Sequence, residues 1–394
     1  MGEMTAKYFS NRLSLTYALM MIGSGVQLPF LPLWLKAKGF DTAGIAVVVA
    51  GMMAARVVGA PLFAWIADHF GNRRLVIQLC AGLALLSYTC LALAQGFSSI
   101  LTIALIAAFA FAPVFPLTEG FSVDGAATHG IDYGRVRRWA SLSFLIGSLS
   151  SGLLLTRLAP EDTAWLIAFC QLLSFGAAFL LPHEPEHKRE DTEDAKNLKA
   201  RDLFFASSFP LLLLATGLAQ ASHAMLYGFS SVHWQNLGIG SVGIGVLWSA
   251  AVLAEVALLS YSSVIVKKFG PGRLILTGIA GGMLRWILMG FVTSFPLIFL
   301  AQALHALSFA TTHLGTMHVI RLMAPPQLRN RAQGINAALS GGILMSCTTL
   351  AAGHFYGQIG GKTYFAMAAM SAVAFVLACA VLRISPKARA VAAA

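Results

Sequence analysis

Charged residues are scarce in this chain of 394 residues: only 11% are Asp, Glu, Lys or Arg, while 57% are hydrophobic. A soluble domain carries about 25% charged residues, so the composition excludes an ordinary soluble protein. A bilayer-spanning helix needs about 20 apolar residues, and stretches of that kind recur along the whole sequence as continuous, non-alternating runs. Because lipid cannot satisfy backbone polar groups, such runs predict helices rather than a barrel. We therefore expect an all-α integral membrane protein.

The sequence also lacks the patterns of metalloproteins, ATP-driven pumps and most enzymes. The five cysteines fall within apolar stretches without a Cys-x-x-Cys pair, and we interpret them as packing residues. No cluster of His, Cys and Asp has metal-ligand spacing, and no Gly-Lys-Ser/Thr phosphate loop occurs. No nucleophile–base cluster is evident either. We expect no metal, no cofactor and no enzymatic activity.

The apolar stretches predict about twelve spanning helices in two halves. The stretches cover residues 13–35, 43–67, 75–94, 98–126, 136–158, 163–181, 208–232, 242–266, 274–292, 295–323, 332–358 and 363–382. The charge-dense segment 182–202 is interpreted as a cytoplasmic linker; the alternative is an incidental charged loop. It separates an N-terminal half, 1–181, from a C-terminal half, 203–394, which ends in a short cytoplasmic tail. Two six-helix halves around a central cavity are typical of secondary transporters.

The basic residues predict the orientation of the chain. Short cytoplasmic loops retain Lys and Arg, and most of the 27 Lys and Arg fall on one side if the N-terminus is cytoplasmic. Both termini are then cytoplasmic. The net charge of +11 is explained by this topology, so we expect no nucleic-acid partner. The predicted partners are the lipid bilayer, protons and a small-molecule substrate, for a monomer in a bacterial inner membrane.

Glu119 and Arg137 lie on either side of a polar turn at 128–134, between two long apolar stretches. In an antiparallel hairpin with this turn at its centre, both residues lie about 9 residues along their helices, roughly 14 Å from the turn. A carboxylate and a guanidinium would then face each other inside the bilayer. Ionisable groups at that depth are costly and usually functional. We predict that the pair belongs to a substrate-binding site; a purely structural salt bridge is the alternative.

Glu255 and Arg285 form a similar acid–arginine pair around a turn centred on Gly270. Burial raises the pKa of a carboxyl and a nearby arginine lowers it, so a carboxyl that loses its arginine takes up a proton. Glu255 is the first candidate proton carrier and Glu119 the second. His305 and His313, together with His223, are candidate relays because imidazole titrates near neutral pH; hydrogen-bonded packing is the alternative.

Three further residues are candidate substrate contacts. Gln220 and Tyr227 share a helix face with His223. Arg56 stands in the middle of the second apolar stretch, where it is either an anion contact or a structural anchor. Arginine binds carboxylates bidentately. Five aromatic residues near these sites could stack on a ring or merely pack: Phe111, Phe115, Trp139, Phe144 and Trp286.

The loop Ala64-Trp-Ile-Ala-Asp68-His-Phe-Gly71-Asn-Arg73-Arg74 resembles the Gly-x-x-x-Asp-Arg-x-Gly-Arg-Arg signature of major facilitator superfamily transporters. Asp68, Gly71 and Arg73 match the signature, while Ala64, His69 and Asn72 depart from it. The resemblance implies the major facilitator fold and a conformational loop in which Asp68 pairs with neighbouring arginines. A solvated turn is the alternative.

Several segments together resemble the 3-phenylpropionate transporter-like permeases, which are similar in turn to lactose permease and the nucleoside–proton symporters. They are Pro-Leu-Thr-Glu119, Asp132-Tyr-Gly-Arg-Val-Arg137, Gln220-Ala-Ser-His223 with Tyr227, Leu253-Ala-Glu255, Leu284-Arg285-Trp286 and Leu304-His305. The resemblance implies substrate contacts of the sugar-permease type at Glu119 and Arg137. It implies proton coupling at Glu255, Arg285 and His305. Ser308 stands where lactose permease has its proton-carrying glutamate, so coupling does not transfer unchanged.

The leading functional hypothesis is proton-coupled uptake of an aromatic monocarboxylate by alternating access, and it depends on the family resemblance. The alternatives are proton symport of a sugar or nucleoside, and drug/proton antiport. The fifth helix lacks the Gly-Pro pair typical of such exporters. A membrane enzyme and a transport-derived sensor are alternatives from other classes, although the chain has neither a catalytic cluster nor room for a soluble output domain.

Overall fold

Helices make up nearly all of the computed structural model, which describes residues 6–181, 208–325 and 328–384. In the first part of the chain they are α1 (Ala6–Ala37), α2 (Thr42–Phe70), α3 (Arg73–Leu93), α4 (Phe97–Phe111), α5 (Val114–His129), α6 (Tyr133–Leu154) and α7 (Thr163–Ala178). They continue as α8 (Phe209–Ala221), α9 (Ala224–Asn236), α10 (Ser241–Ser260), α11 (Ser262–Phe269), α12 (Pro271–Phe291) and α13 (Phe295–Ala303). The π-helical segment π1 (Ala306–Thr311) leads into α14 (Thr312–Met323) and α15 (Arg329–Ala337), and π2 (Ala338–Leu344) leads into α16 (Met345–Ile359) and α17 (Thr363–Ile384).

The chain divides into two compact units. The first comprises residues 1–188 and 234–249, and the second comprises 189–233 and 250–394. The end of α9 and the start of α10 thus belong to the first unit. Lys36 donates there to Gln235 Oε1 (2.9 Å) and Asn236 Oδ1 (2.8 Å). The predicted linker, 182–202, lies outside the described residues.

Nine helical stretches of the described chain are long and apolar enough to cross a membrane. They are Ala6–Ala37, Thr42–Phe70, Arg73–Leu93, Phe97–Ala126, Phe209–Asn236, Ser241–Ser260, Pro271–Phe291, Phe295–Met323 and Arg331–Ile384. The last stretch, of 54 residues, contains two predicted spans. Two other predicted spans correspond to α6, which begins with a cluster of arginines, and α7, which has only 16 residues. The helical membrane fold is confirmed, while the count of about twelve stays a prediction.

Three breaks in the helices of the apolar stretches lie at or near polar residues of the candidate site. Pro113, which has no N–H to donate, separates α4 from α5 and lies before Glu119. Ser222 and His223 separate α8 from α9 in a tight turn. His305 immediately precedes π1, and π-helical turns inside α-helices occur frequently at functional sites.

Glycines allow the helices of the first unit to approach closely. A β-carbon on Gly25 of α1 would overlap the backbone carbonyl oxygen of Phe144 in α6, and one on Gly147 would overlap that of Ile22. Small residues at such crossings let two backbones come into contact in a membrane. Since α1 lies against α6, Tyr17 of α1 reaches the region between α5 and α6.

Glycines have the same function on α12 in the second unit. A β-carbon on Gly278 would overlap the hydroxyl of Thr312, and one on Gly281 would lie 2.8 Å from Leu307 Cβ. The bare face of α12 therefore admits π1 at close range. Arg285, on the same helix, consequently lies within hydrogen-bonding distance of residues on α13 and π1.

Candidate functional site

Glu119 of α5 and Arg137 of α6 lie together in the first unit. Arg137 Nε is 3.5 Å from Glu119 Oε2, and both side chains are partly exposed. Tyr133 donates a hydrogen bond to the other carboxylate oxygen, Glu119 Oε1. The predicted hairpin pair is thus formed, with one carboxylate oxygen held by the guanidinium and the other by a phenol.

Aromatic rings line the same pair. The guanidinium carbon of Arg137 lies 4.8 Å from the ring centroid of Phe115, which is within cation–π distance. Tyr17 meets Phe115 edge-on, with the ring centroids 5.8 Å apart, and its hydroxyl accepts a hydrogen bond from Ser122 at 2.9 Å. The arrangement offers a cation, a carboxylate and aromatic faces to one ligand.

Tyr133 lies at the start of α6, outside the predicted spans. Burial raises the pKa of Tyr133 to about 12, and the hydrogen bond and negative charge of Glu119 act in the same direction. The phenol therefore remains protonated at physiological pH and can only donate to the carboxylate.

Arg56 occupies a separate position in the first unit, on α2. Its side chain is exposed and its charge acts on the hydroxyl of Tyr88. Tyr88 of α3 is fully buried and donates a hydrogen bond to Gln27 Oε1 of α1 at 3.0 Å. Among the described residues, none supplies a carboxylate within salt-bridge distance of Arg56.

Arg285 is fully buried in the second unit and is the centre of its polar contacts. Its Nε donates to the carbonyl oxygen of Ala301 at 3.1 Å, and Nη2 donates to Gln302 Oε1. Its Nη1 donates to His305 Nδ1 at 2.8 Å and to Ser308 Oγ at 3.1 Å. A guanidinium has only donors, so these four contacts use most of what Arg285 can offer.

His305 lies between Arg285 and Glu255. Because a guanidinium cannot accept a hydrogen bond, His305 Nδ1 must be the acceptor, and the ring proton resides on Nε2. Nε2 is 3.5 Å from Glu255 Oε2, so the imidazole N–H points its donor at the carboxylate. The predicted acid–arginine pair is therefore connected through a neutral histidine.

Ser308 connects Arg285 to the break between α8 and α9. The Ser308 hydroxyl lies 3.2 Å from His223 Nε2, and His223 Nδ1 lies 3.1 Å from the carbonyl oxygen of Gln220. A carbonyl only accepts, so His223 carries its proton on Nδ1, and Nε2 accepts from Ser308. The tautomer of His305 thus follows from the guanidinium of Arg285, and that of His223 from the carbonyl oxygen of Gln220.

The remaining predicted residues of this unit lie around that cluster. Tyr227 stacks on His223, with the ring centroids 6.0 Å apart, while Gln220 Oε1 is buried without a hydrogen-bond partner in the described chain. His313 stacks on Phe309 at 5.9 Å, and Phe309 stacks on His305 at 5.1 Å. His313 is thus separated from His305 by one phenyl ring.

The predicted conformational loop lies in the first unit, at the junction of α2 and α3. Gly71 adopts φ +62° and ends α2 in the left-handed region that favours glycine. Asn72 caps α3, since its side chain accepts from the N–H of Leu75 at 2.9 Å. Arg73 forms a 2.6 Å ion pair with Asp124 of α5. Asp68 lies in the last turn of α2, and its pairing with neighbouring arginines stays a prediction.

Sequence reasoning missed several partners in these clusters. Tyr133 and Gln302 were not singled out, although Tyr133 stands in the same turn motif as Arg137. Tyr17 carries no local signal, since only the packing of α1 brings it to Phe115. Ser308 was noted as a departure from the family pattern, and the structure gives it two side-chain partners.

Comparison with known proteins identifies similar transporters. The chain is 27% identical over 370 residues to the "Probable 3-phenylpropionic acid transporter" of Escherichia coli (strain K12), covering 93% of this chain and 96% of that protein. It is 22% identical over 348 residues to the "Maltose permease" of Geobacillus stearothermophilus, covering 86% of each. The crystal structure of the nucleoside transporter NupG superimposes with a TM-score of 0.77 at 17% identity, covering 95% of this chain and 98% of that chain.

The helical membrane fold and the similar proteins together define a multi-pass transporter of the major facilitator superfamily. The family model described as "MFS_1 like family" matches residues 10–367. The chain belongs to this family.

Proposed function

We propose that the protein is a secondary active transporter that couples proton entry to uptake of a small organic solute by alternating access. The preferred substrate is an aromatic monocarboxylate such as 3-phenylpropionate. The observation that carries the proposal is the buried connection from Arg285 through His305 to Glu255. The family and the similar proteins, which are transporters, support transport rather than catalysis.

Glu255 is the proposed proton carrier. The carboxylate faces the N–H of a neutral imidazole that the buried arginine holds in one tautomer. Movement of Arg285 away from His305 would leave Nδ1 free and weaken the positive environment of Glu255, and the carboxyl would then take up a proton. Ser308, which replaces a carboxylate in the family pattern, has a hydroxyl and cannot perform this step.

The proposal of an aromatic acid as substrate is supported by side chains of the first unit. Phe115 and Tyr17 offer ring faces beside a carboxylate and a guanidinium. The similar Escherichia coli protein is described as a transporter of 3-phenylpropionic acid, which has a phenyl ring and one carboxyl group. Gln220, His223 and Tyr227 are proposed to complete the substrate contacts in the second unit.

Symport of a sugar or nucleoside is the second candidate. Glu119 and Arg137 together can accept from and donate to hydroxyl groups, and a similar protein is a maltose permease. Drug/proton antiport is a weaker third candidate, since α6 lacks the Gly-Pro pair. Each candidate retains proton coupling at Glu255.

A monomer in a bacterial inner membrane, with both termini cytoplasmic, completes the proposal. The orientation is supported by the distribution of Lys and Arg along the sequence. The location in a membrane of bacteria is supported by similarity to bacterial transporters.

Uptake into proteoliposomes under an inside-alkaline pH gradient tests the function. We expect labelled 3-phenylpropionate to accumulate beyond the level in protein-free liposomes, which is the control for passive partition of a weak acid. Accumulation of maltose or a nucleoside alone would favour the second candidate. Absence of gradient-driven accumulation of every one of these solutes would overturn the proposal.

A further inference from the structure

We infer that Arg56, together with Tyr88 and Gln27, is the anchor for the carboxylate of the substrate. This inference rests on the proposed transport of an organic acid. By residue type alone, each of the three arginines Arg56, Arg137 and Arg285 could bind a carboxylate. The contacts of each arginine distinguish Arg56 from the other two.

Arg285 is unsuited to the anchoring role because its donors are already used. Its guanidinium is fully buried and donates to Ala301, Gln302, His305 and Ser308. A substrate carboxylate would have to displace these partners inside a closed cluster. The contact with His305 defines the tautomer of that histidine, so displacement would dismantle the proposed coupling group.

Arg137 already has a carboxylate. Glu119 Oε2 lies 3.5 Å from its Nε, and the guanidinium rests on the Phe115 ring. A second carboxylate at this place would meet the negative charge of Glu119, and like charges repel. The pair is therefore better suited to hydroxyl groups or to the aromatic part of a ligand.

Arg56 and Arg285 both lack a carboxylate within salt-bridge distance among the described residues, but Arg285 is fully buried with its donors occupied, whereas Arg56 is exposed. On α2 it shares a helix face with Met52 and Gly59, both buried, because residues four and three apart lie on one side of a helix. Its side chain is nevertheless exposed. An arginine is too costly to face lipid inside a span, so we expect the exposed guanidinium to face a polar region that a carboxylate can reach.

Arg56 interacts with the hydroxyl of Tyr88 on α3. Tyr88 is fully buried and donates to Gln27 Oε1 at 3.0 Å, which leaves the lone pairs of the phenol to accept from the guanidinium. The amide of Gln27 also carries N–H donors, and such a donor can bond to a carboxylate oxygen. An arginine fork with an adjacent amide matches the two oxygens of one carboxylate.

Equilibrium binding to the purified protein in nanodiscs tests the anchor. The two probes are labelled 3-phenylpropionate and its neutral isostere 3-phenylpropionamide. Arg56→Gln should weaken binding of the acid by about 10–100-fold, the usual range for a lost charge-assisted contact. Its affinity for the amide should change little, which also shows that the variant is folded.

Arg137→Gln is the matched control and should weaken both probes by a similar factor. Tyr88→Phe should weaken the acid alone, and Arg56→Lys should lie between the wild type and Arg56→Gln, because it retains the charge without the fork. These two milder variants decide the question if Arg56→Gln does not fold.

The outcomes separate this inference from the proposed function. Loss of the preference for the acid in Arg137→Gln but not in the Arg56 variants would overturn the anchor while leaving aromatic-acid transport intact. If the wild-type protein binds neither probe, the proposed substrate class fails and the anchor fails with it.

Discussion

At the scale of single residues, Ser308 has the most informative contacts. Its hydroxyl accepts from Arg285 at 3.1 Å and lies 3.2 Å from His223 Nε2. A hydroxyl can accept one hydrogen bond while donating another, which neither alanine nor a carboxylate can reproduce with both partners. Ser308 thus joins a buried cation to the turn between α8 and α9.

Ser308→Ala should destabilise the protein by about 1.5–3 kcal/mol, the range for a lost hydrogen bond to a charged group, and lower the rate of uptake. The reason is that Arg285 loses an acceptor and His223 loses its donor. Thermal unfolding of the purified protein, together with uptake in proteoliposomes, measures both effects.

Ser151→Ala is the control for that substitution. Ser151 is equally buried, but its hydroxyl bonds only to carbonyl groups of its own helix, a contact that contributes little to helix stability. Equal unfolding temperatures and equal uptake for the two variants would contradict a linking function of Ser308.

Residue types and spacing predicted some of these contacts and not others. Glu119 and Arg137 could be paired from the sequence because both flank one polar turn. The route from Glu255 to Arg285 through His305 could not, since it depends on how α12 approaches α13 and π1. Tyr17 was likewise unpredictable, because its partner Phe115 lies on a helix distant in the chain.

At the scale of helices, the glycine face of α12 decides where the coupling residues stand. Gly278, Gly281 and Gly282 remove the side chains that would keep π1 away. The sequence predicted residues 295–323 as one continuous span, whereas the structure divides it into α13, π1 and α14. A π-helical turn has no reliable sequence signal, because its stability depends on the surface packed against it.

Gly278→Ala should destabilise the protein by about 1–3 kcal/mol, the usual cost of overpacking. The new β-carbon would overlap the Thr312 hydroxyl and lie 2.7 Å from the Thr312 backbone nitrogen, and a backbone atom cannot rotate away. Uptake should fall together with the unfolding temperature as π1 is displaced from Arg285.

Gly176→Ala in α7 is the matched control, since no atom lies within 4 Å of a β-carbon at Gly176. Alanine is favoured over glycine in a helix interior by up to about 1 kcal/mol, so this variant should be as stable as the wild type or more so. A Gly278→Ala variant that behaves in the same way would show that α12 and π1 do not need their close approach.

At the scale of the whole molecule, each unit contains its own acid–arginine cluster. The first has Glu119 with Arg137, and the second has Glu255 joined to Arg285 through His305. Hydrophobic composition and span length were sufficient to predict the helical membrane fold. The family was predicted from short motifs and is now shown by a match over residues 10–367. The substrate depends on side-chain geometry, which no composition encodes.

The central claim, proton entry coupled to the acid through Glu255, is tested most directly by following protons. Proteoliposomes without an imposed pH gradient receive 3-phenylpropionate outside, and the external pH is recorded. Glu255→Gln vesicles of equal protein content measure passive permeation of the protonated acid, once nanodisc binding shows that the variant retains affinity for 3-phenylpropionate. We predict that the medium becomes alkaline several-fold faster with the wild-type protein than with the variant. Equal rates for the two would contradict the account.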